Sequence, residues 1–212
     1  MKLFLTSYRI PAPEDLFKLV NKKPSEISVA IIPNAKDYYA ERARNFKINE
    51  MTEFIANFGM KPELLDLREY NDATSLKEKL AEKQLIWVSG GNTFCLRYEM
   101  KRSGFDKVID DILSAGVVYA GESAGACVAG TTLKGLEGAD EPAFAEDQVW
   151  EGLNLLPNFV LPHADNPMFA DDTKQTLELY KNDPKLITLN DNQALVVDNG
   201  QSRVVTGMTN ES

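Results

Sequence analysis

Apolar positions along the chain fall in short runs separated by longer amphipathic stretches. Met1 to Thr6 reads as a strand, and Pro13-Glu14-Asp15 then opens a helix. Proline suits a first helical turn, and acids there complement the helix dipole. Ile27 to Ile32 is a β-branched run closed by Pro33-Asn34, the signature of a buried strand. Tyr38 to Phe58 reads as a helix with Phe46, Met51, Phe54, Ile55 and Phe58 on one face, and Gly59 sits where a C-cap belongs. A third strand is expected over Lys61 to Leu67, a charged helix over Ser75 to Ala81, and a fourth strand over Leu85 to Val88. Helices follow over Phe94 to Met100 and Phe105 to Ser114, then a fifth strand over Val117 to Ala120 and a sixth over Asn158 to Leu161. Ala194 to Val197 and Arg203 to Thr206 flank Asn199-Gly200, a strong hairpin-turn signal.

Strands alternating with helices imply an α/β fold: three layers, with a mainly parallel sheet flanked by helices and a C-terminal β-hairpin. The 212 residues suit one domain spanning 1–212. Ligands in such sheets bind beyond the carboxyl ends of the strands. Three segments, at Gly90, Ser123 and His163, each follow an expected strand, and right-handed crossovers would bring them to one sheet edge. Gly130 to Trp150 is the least regular stretch, and long irregular segments are often functional.

Composition narrows the partners. The net charge of −9 disfavours nucleic acid, which needs a basic face, and acidic membrane surfaces. No run approaches the roughly 20 apolar residues of a membrane span, and the N-terminus lacks a signal-peptide pattern. The cytoplasm is the expected compartment, with Cys95 and Cys127 as reduced thiols. One histidine and two distant cysteines cannot supply a zinc site. There is no phosphate loop or dinucleotide fingerprint, so neither metal nor cofactor is expected.

Gly121-Glu122-Ser123-Ala124-Gly125 matches G-x-S-x-G, a sharp strand-to-helix turn that lifts a serine out of the sheet. The small residues of Ala124 to Ala129 let a helix approach the sheet, with its first amides facing an oxyanion. A serine needs a base to become nucleophilic near neutral pH, and His163 is the sole histidine. Gly90-Gly91-Asn92 follows the fourth strand, where glycines let backbone N–H groups approach a substrate. The amides of Gly91 and Ala124 would together hold the oxyanion. The carboxylate that should orient His163 is not fixed by spacing: Glu137, Asp140, Glu141, Glu146 and Asp165 all qualify.

The segments Val88-Ser89-Gly90-Gly91-Asn92-Thr93-Phe94, Ala120 to Ala126 and Leu161-Pro162-His163 resemble the serine peptidases of family S51, which includes dipeptidase E and cyanophycinase. The resemblance implies a flavodoxin-like, class I glutamine amidotransferase-like fold. It assigns Ser123 as nucleophile, His163 as base, and Gly91 and Ala124 as oxyanion donors, with Gly90 and Asn92 in the same substrate-binding loop. It implies Asp140, two residues before Pro142, as the acid, with Glu137 and Glu141 still open. The expected substrate is a short peptide, cleaved through an acyl-enzyme; a homodimer is compatible with the sequence. An esterase or amidase, or a silent binding module of the same fold, would share these features. Family members of the dipeptidase E type carry an arginine after the histidine, where this chain has Met168 to Lys174. With no arginine between His163 and Arg203, a preference for N-terminal aspartate is not expected.

Overall fold

A computed structural model describes residues 1–207. Its strands are β1 (Lys2–Thr6), β2 (Ser28–Ile32), β3 (Lys61–Leu64), β4 (Leu85–Val88), β5 (Val118–Glu122), β6 (Phe159–Leu161), β7 (Leu186–Thr188), β8 (Gln193–Asp198) and β9 (Gln201–Thr206). Its helices are α1 (Pro13–Val20), α2 (Glu41–Asn57), α3 (Ala73–Ala81), α4 (Thr93–Ser103), α5 (Phe105–Ser114), α6 (Ala124–Cys127) and α7 (Ala170–Leu179). The main sheet has the order β3-β2-β4-β5-β1-β8-β9. The first five of these are parallel, while β8 and β9 are antiparallel additions at one edge.

Side chains alternate across the sheet and so build two cores. Leu3, Leu5, Ala30, Ile32, Ile86 and Val88 face α3, α4, α5 and α6. Phe4, Val29, Ile31, Trp87 and Val118 face α1 and α2. The expected three layers and the terminal hairpin are therefore present. The turn at Asn199-Gly200 carries φ of 48° and 88°, the left-handed pair that a tight hairpin requires.

Three local readings change. The helix expected from Tyr38 starts at Glu41, and Phe46 is exposed, because Ile48, Met51 and Ile55 form the buried stripe. The strand before His163 does not join the main sheet. It pairs in parallel with β7, which the sequence did not reveal, as a separate two-stranded sheet. The third is α7, within a segment read only for its missing arginine.

The loop after β2 is fixed by a buried polar network. Asn34, fully buried, donates to Asp37 and Asp66, each at 2.8 Å. Arg44 bonds the same two carboxylates at 2.6 and 2.7 Å. Burial works against the Asp66 anion, yet hydrogen bonds from Arg68 and Asn34 and the charge of Arg44 hold its carboxyl far below the ordinary range. A carboxyl depressed in the folded state stabilises above its unfolded pKa, and that contribution fades as pH falls below it. Asp66→Asn leaves Arg44 buried without its full partner, so at neutral pH it should cost about 3 kcal/mol in urea unfolding. The gap to the unsubstituted protein should narrow below pH about 4; a gap independent of pH would show that charge is not its source.

Candidate active site

Ser123 sits between β5 and α6 with φ 49° and ψ −108°, a conformation that costs free energy for a residue with a side chain. The surroundings impose it. Its N–H donates to the Thr6 carbonyl at 2.9 Å. The chain closes so tightly that a Cβ on Gly121 would lie 2.2 Å from the Gly125 oxygen, and one on Gly125 would lie 2.4 Å from the Val88 oxygen. Only glycine permits both approaches.

His163 is reached from the small sheet. It too has positive φ, 59°, and its N–H donates to Ser7 Oγ at 2.7 Å. The ring meets Ser123 Oγ through Nε2 at 3.0 Å and stacks on Phe169 with centroids 4.3 Å apart.

The other ring nitrogen meets a carboxylate from later in the chain. His163 Nδ1 lies 2.6 Å from Asp191 Oδ1. Asp191 also accepts hydrogen bonds from Ser7 Oγ at 2.8 Å and Asn166 Nδ2 at 2.7 Å. Burial raises its carboxyl, but the bonds from Asn166, Ser7 and His163 outweigh that and hold it below the usual range. Asp140, the acid implied by the resemblance, makes its hydrogen bonds elsewhere. Its carboxylate accepts the Thr93 N–H at 2.9 Å and the Thr93 hydroxyl, and burial pushes it up despite them. Of the other candidates, Glu137 and Glu141 cap local turns, Glu146 binds Tyr98, and Asp165 accepts the Asp191 N–H.

Asp191 is reachable because pairing of β6 with β7 continues past the strands. Leu189 N–H donates to the Leu161 carbonyl at 2.9 Å, and Ala164 N–H donates to Leu189 at 3.1 Å. The chain then turns through Asn190-Asp191 beside His163 before entering β8.

Gly91 and Ala124 follow neighbouring strands, β4 and β5. Among the described residues their N–H groups donate no hydrogen bond, which leaves them available to an oxyanion. Gly91 has φ 139°, and a Cβ there would fall 2.2 Å from the Ala35 oxygen. Gly90 packs against the nucleophile loop, its Cβ position 3.1 Å from Ser123 Cβ. Asn92, expected in the same loop, makes contacts within the protein. It is buried, caps α4 through the Cys95 N–H at 2.9 Å, and donates to the Glu141 carbonyl at 3.0 Å. Both ends of its amide are thus committed to structure.

Two cavities meet at Ser123. One of about 530 Å³ extends past Tyr8, Arg9, Lys36 and Lys47. The other, about 290 Å³, is lined by Leu136, Asp140, Asp172, Thr173 and Thr176. The cations of the first precede His163 in sequence. Among the described residues no cluster of three or more His, Cys, Asp or Glu side chains is arranged to hold a metal ion. No helix there is long and apolar enough to cross a membrane.

The family model for peptidase family S51 matches residues 6–205. An uncharacterized peptidase of Pasteurella multocida (strain Pm70) is 30% identical, with 97% of each chain covered. Peptidase E of Nostoc sp. is 28% identical over 74% of this chain and 58% of its own length. A crystal structure of a Listeria monocytogenes EGD-e protein, provisionally described as a peptidase E, superposes with a TM-score of 0.84 at 26% identity, covering 97% of this chain and 98% of that one. The match runs from the end of β1 to the end of β9 and takes in every strand that builds the cleft, so the chain belongs to peptidase family S51 and is a peptidase E-like serine peptidase.

Proposed function

We propose that the protein hydrolyses short peptides through an acyl-enzyme formed on Ser123, with His163 as general base and Asp191 as the acid that orients it. The observation that carries this reading is the unbroken chain Ser123 Oγ–His163 Nε2 and His163 Nδ1–Asp191, at 3.0 and 2.6 Å. Both distances fall within hydrogen-bond reach, the geometric condition for base-assisted attack.

The steps follow from those contacts. Asp191 accepts a hydrogen bond from Nδ1–H, which keeps that proton on Nδ1 and leaves the Nε2 lone pair facing Ser123 Oγ. Ser123 attacks the peptide carbonyl as its proton passes to Nε2. The amides of Gly91 and Ala124 stabilise the oxygen anion that forms. His163 then gives the proton to the departing amine, and water repeats the sequence on the acyl-enzyme. The imidazolium formed midway is stabilised by Asp191, which its hydrogen bonds keep ionised. Ser7 contributes as a positioning residue, holding the His163 backbone N–H and the Asp191 carboxylate from one hydroxyl.

Two experiments test the assignment. A fluorophosphonate should label Ser123 in the intact protein, and Ser123→Ala should lower kcat on the order of 10⁶-fold with the fold retained. Activity above a tenth of the original in pure Ser123→Ala protein would end the serine mechanism. The acid is tested by comparing two isosteric changes. Asp191→Asn should lower kcat by roughly 10⁴, since it inverts the histidine tautomer. Asp140→Asn should fall within about tenfold of the unsubstituted enzyme, because its carboxylate is bonded to Thr93 and not to the ring. The opposite ranking would return the acid to Asp140.

A further inference from the structure

The larger cavity at Ser123 carries a set of cations that the hydrolytic machinery does not use. Arg9, Lys36 and Lys47 line it, and among the described residues none of them forms an ion pair. Arg9 lies over the Phe54 ring at 4.6 Å, and Lys47 sits 5.1 Å from the Tyr39 ring centre. Aromatic faces orient these cations without neutralising them. The cavity also holds Glu50 and Glu122; Glu122 is engaged by the Arg9 backbone N–H at 2.9 Å.

Lys36 is the best placed of the three. Its Nζ donates to the Gly90 carbonyl at 2.9 Å, and Gly90 packs directly on Ser123. An ammonium has three donors, so two remain for a ligand. The side chain is partly buried, and burial pushes its pKa down even with Glu122 nearby. It is also held in place. Asn34 and Asp37, on either side of it in sequence, are locked into the network with Asp66 and Arg44. A partly desolvated, preorganised ammonium beside a nucleophile, with no anion of its own, is a site short of a ligand.

Among the described residues, the second cavity at Ser123 has no lysine or arginine in its wall, and its acids are Asp140 and Asp172. A substrate bound across the serine therefore meets carboxylates alone on one side, and finds cations only on the other, where Arg9, Lys36 and Lys47 stand among Glu50, Glu122 and Asp191. Both terminal charges of a dipeptide lie within a few bonds of its scissile carbonyl. We propose that Lys36, supported by Arg9 and Lys47, forms a subsite for the free C-terminal carboxylate of a dipeptide, which makes a free terminus a determinant of substrate choice. The amino terminus then points into the second cavity, toward Asp172. This rests on the assignment of Ser123 as the reacting group, and it deepens that assignment by setting the register of the substrate.

The test uses the full-length Ser123→Ala protein, so that ligands bind without turnover, and compares Ala-Leu with Ala-Leu-amide by titration calorimetry or NMR. Ala-Leu should bind at least about tenfold more tightly, worth roughly 1.4 kcal/mol. Adding Lys36→Met should bring the ratio to within about threefold of unity, while Lys36→Arg, which keeps the charge, should retain most of it. Thermal melts check that each variant is folded. Equal affinity for acid and amide, no detectable binding of either, or a ratio unchanged in Lys36→Met would overturn the subsite. Asp-Leu-amide binding as tightly as Ala-Leu, in a Lys36-dependent way, would overturn it differently, by showing that the cations read an acidic side chain. Fluorophosphonate labelling of the protein with Ser123 intact runs alongside: its absence defeats the serine assignment, whereas the binding ratio reports on the subsite alone.

Discussion

The approach of Gly125 to the carbonyl of Val88 is the constraint from which the rest of the site follows. With no side chain at Gly121 or Gly125, α6 can begin directly against the sheet, and a Cβ at either position would overlap backbone atoms. That contact turns the chain sharply enough to hold Ser123 in an unfavourable backbone conformation and present its hydroxyl above the strand ends. It also keeps the first amide of α6 level with the loop after β4, where Gly91 is pressed against Ala35. The conformational cost at Ser123 is borne by a core that is closely packed on both sheet faces.

Two sheets meeting at this point give the site its second property. The main sheet supplies Ser123, the Gly91 loop and Ser7, while the small sheet of β6 and β7 supplies His163 and the approach to Asp191. Ser7 joins them, because one buried hydroxyl contacts both the histidine backbone and the acid. Removal of that hydroxyl leaves the His163 N–H without a partner, so its influence on the ring is positional and not chemical.

Much of this was legible in the sequence, for reasons that mark where legibility stops. The strands β1, β2, β4 and β5 are short, β-branched or aromatic runs with turn residues after them, and local pattern was enough. Ser123 and His163 carried local signals as well: a glycine-flanked serine after a strand, and a lone histidine after another. Asp191 carried none. It sits in Asn190-Asp191-Asn192, which reads as an ordinary turn among 32 acidic residues. What places it is topology. The strand β8 runs antiparallel beside β1, so its amino end lies where the parallel strands have their carboxyl ends. Working through the hairpin in that way would have brought the turn to the catalytic edge. The cations are hidden for the same reason: Arg9 and Lys36 follow β1 and β2, far in sequence from His163. A capping side chain such as Asn92 and a substrate-binding one look alike in sequence when both follow a glycine pair.

The central claim, that Asp191 and not Asp140 fixes the reactive histidine, can be tested on a single proton. The chain has one histidine, so its imidazole gives one unambiguous Nδ1–H signal. In a phosphonate adduct of Ser123, which holds the ring protonated, proton NMR should show that signal strongly deshielded and protected from exchange by the bond to Asp191. The account predicts that Asp140→Asn leaves it in place and Asp191→Asn removes it or shifts it far upfield. A signal that survives Asp191→Asn and is lost in Asp140→Asn would contradict the account.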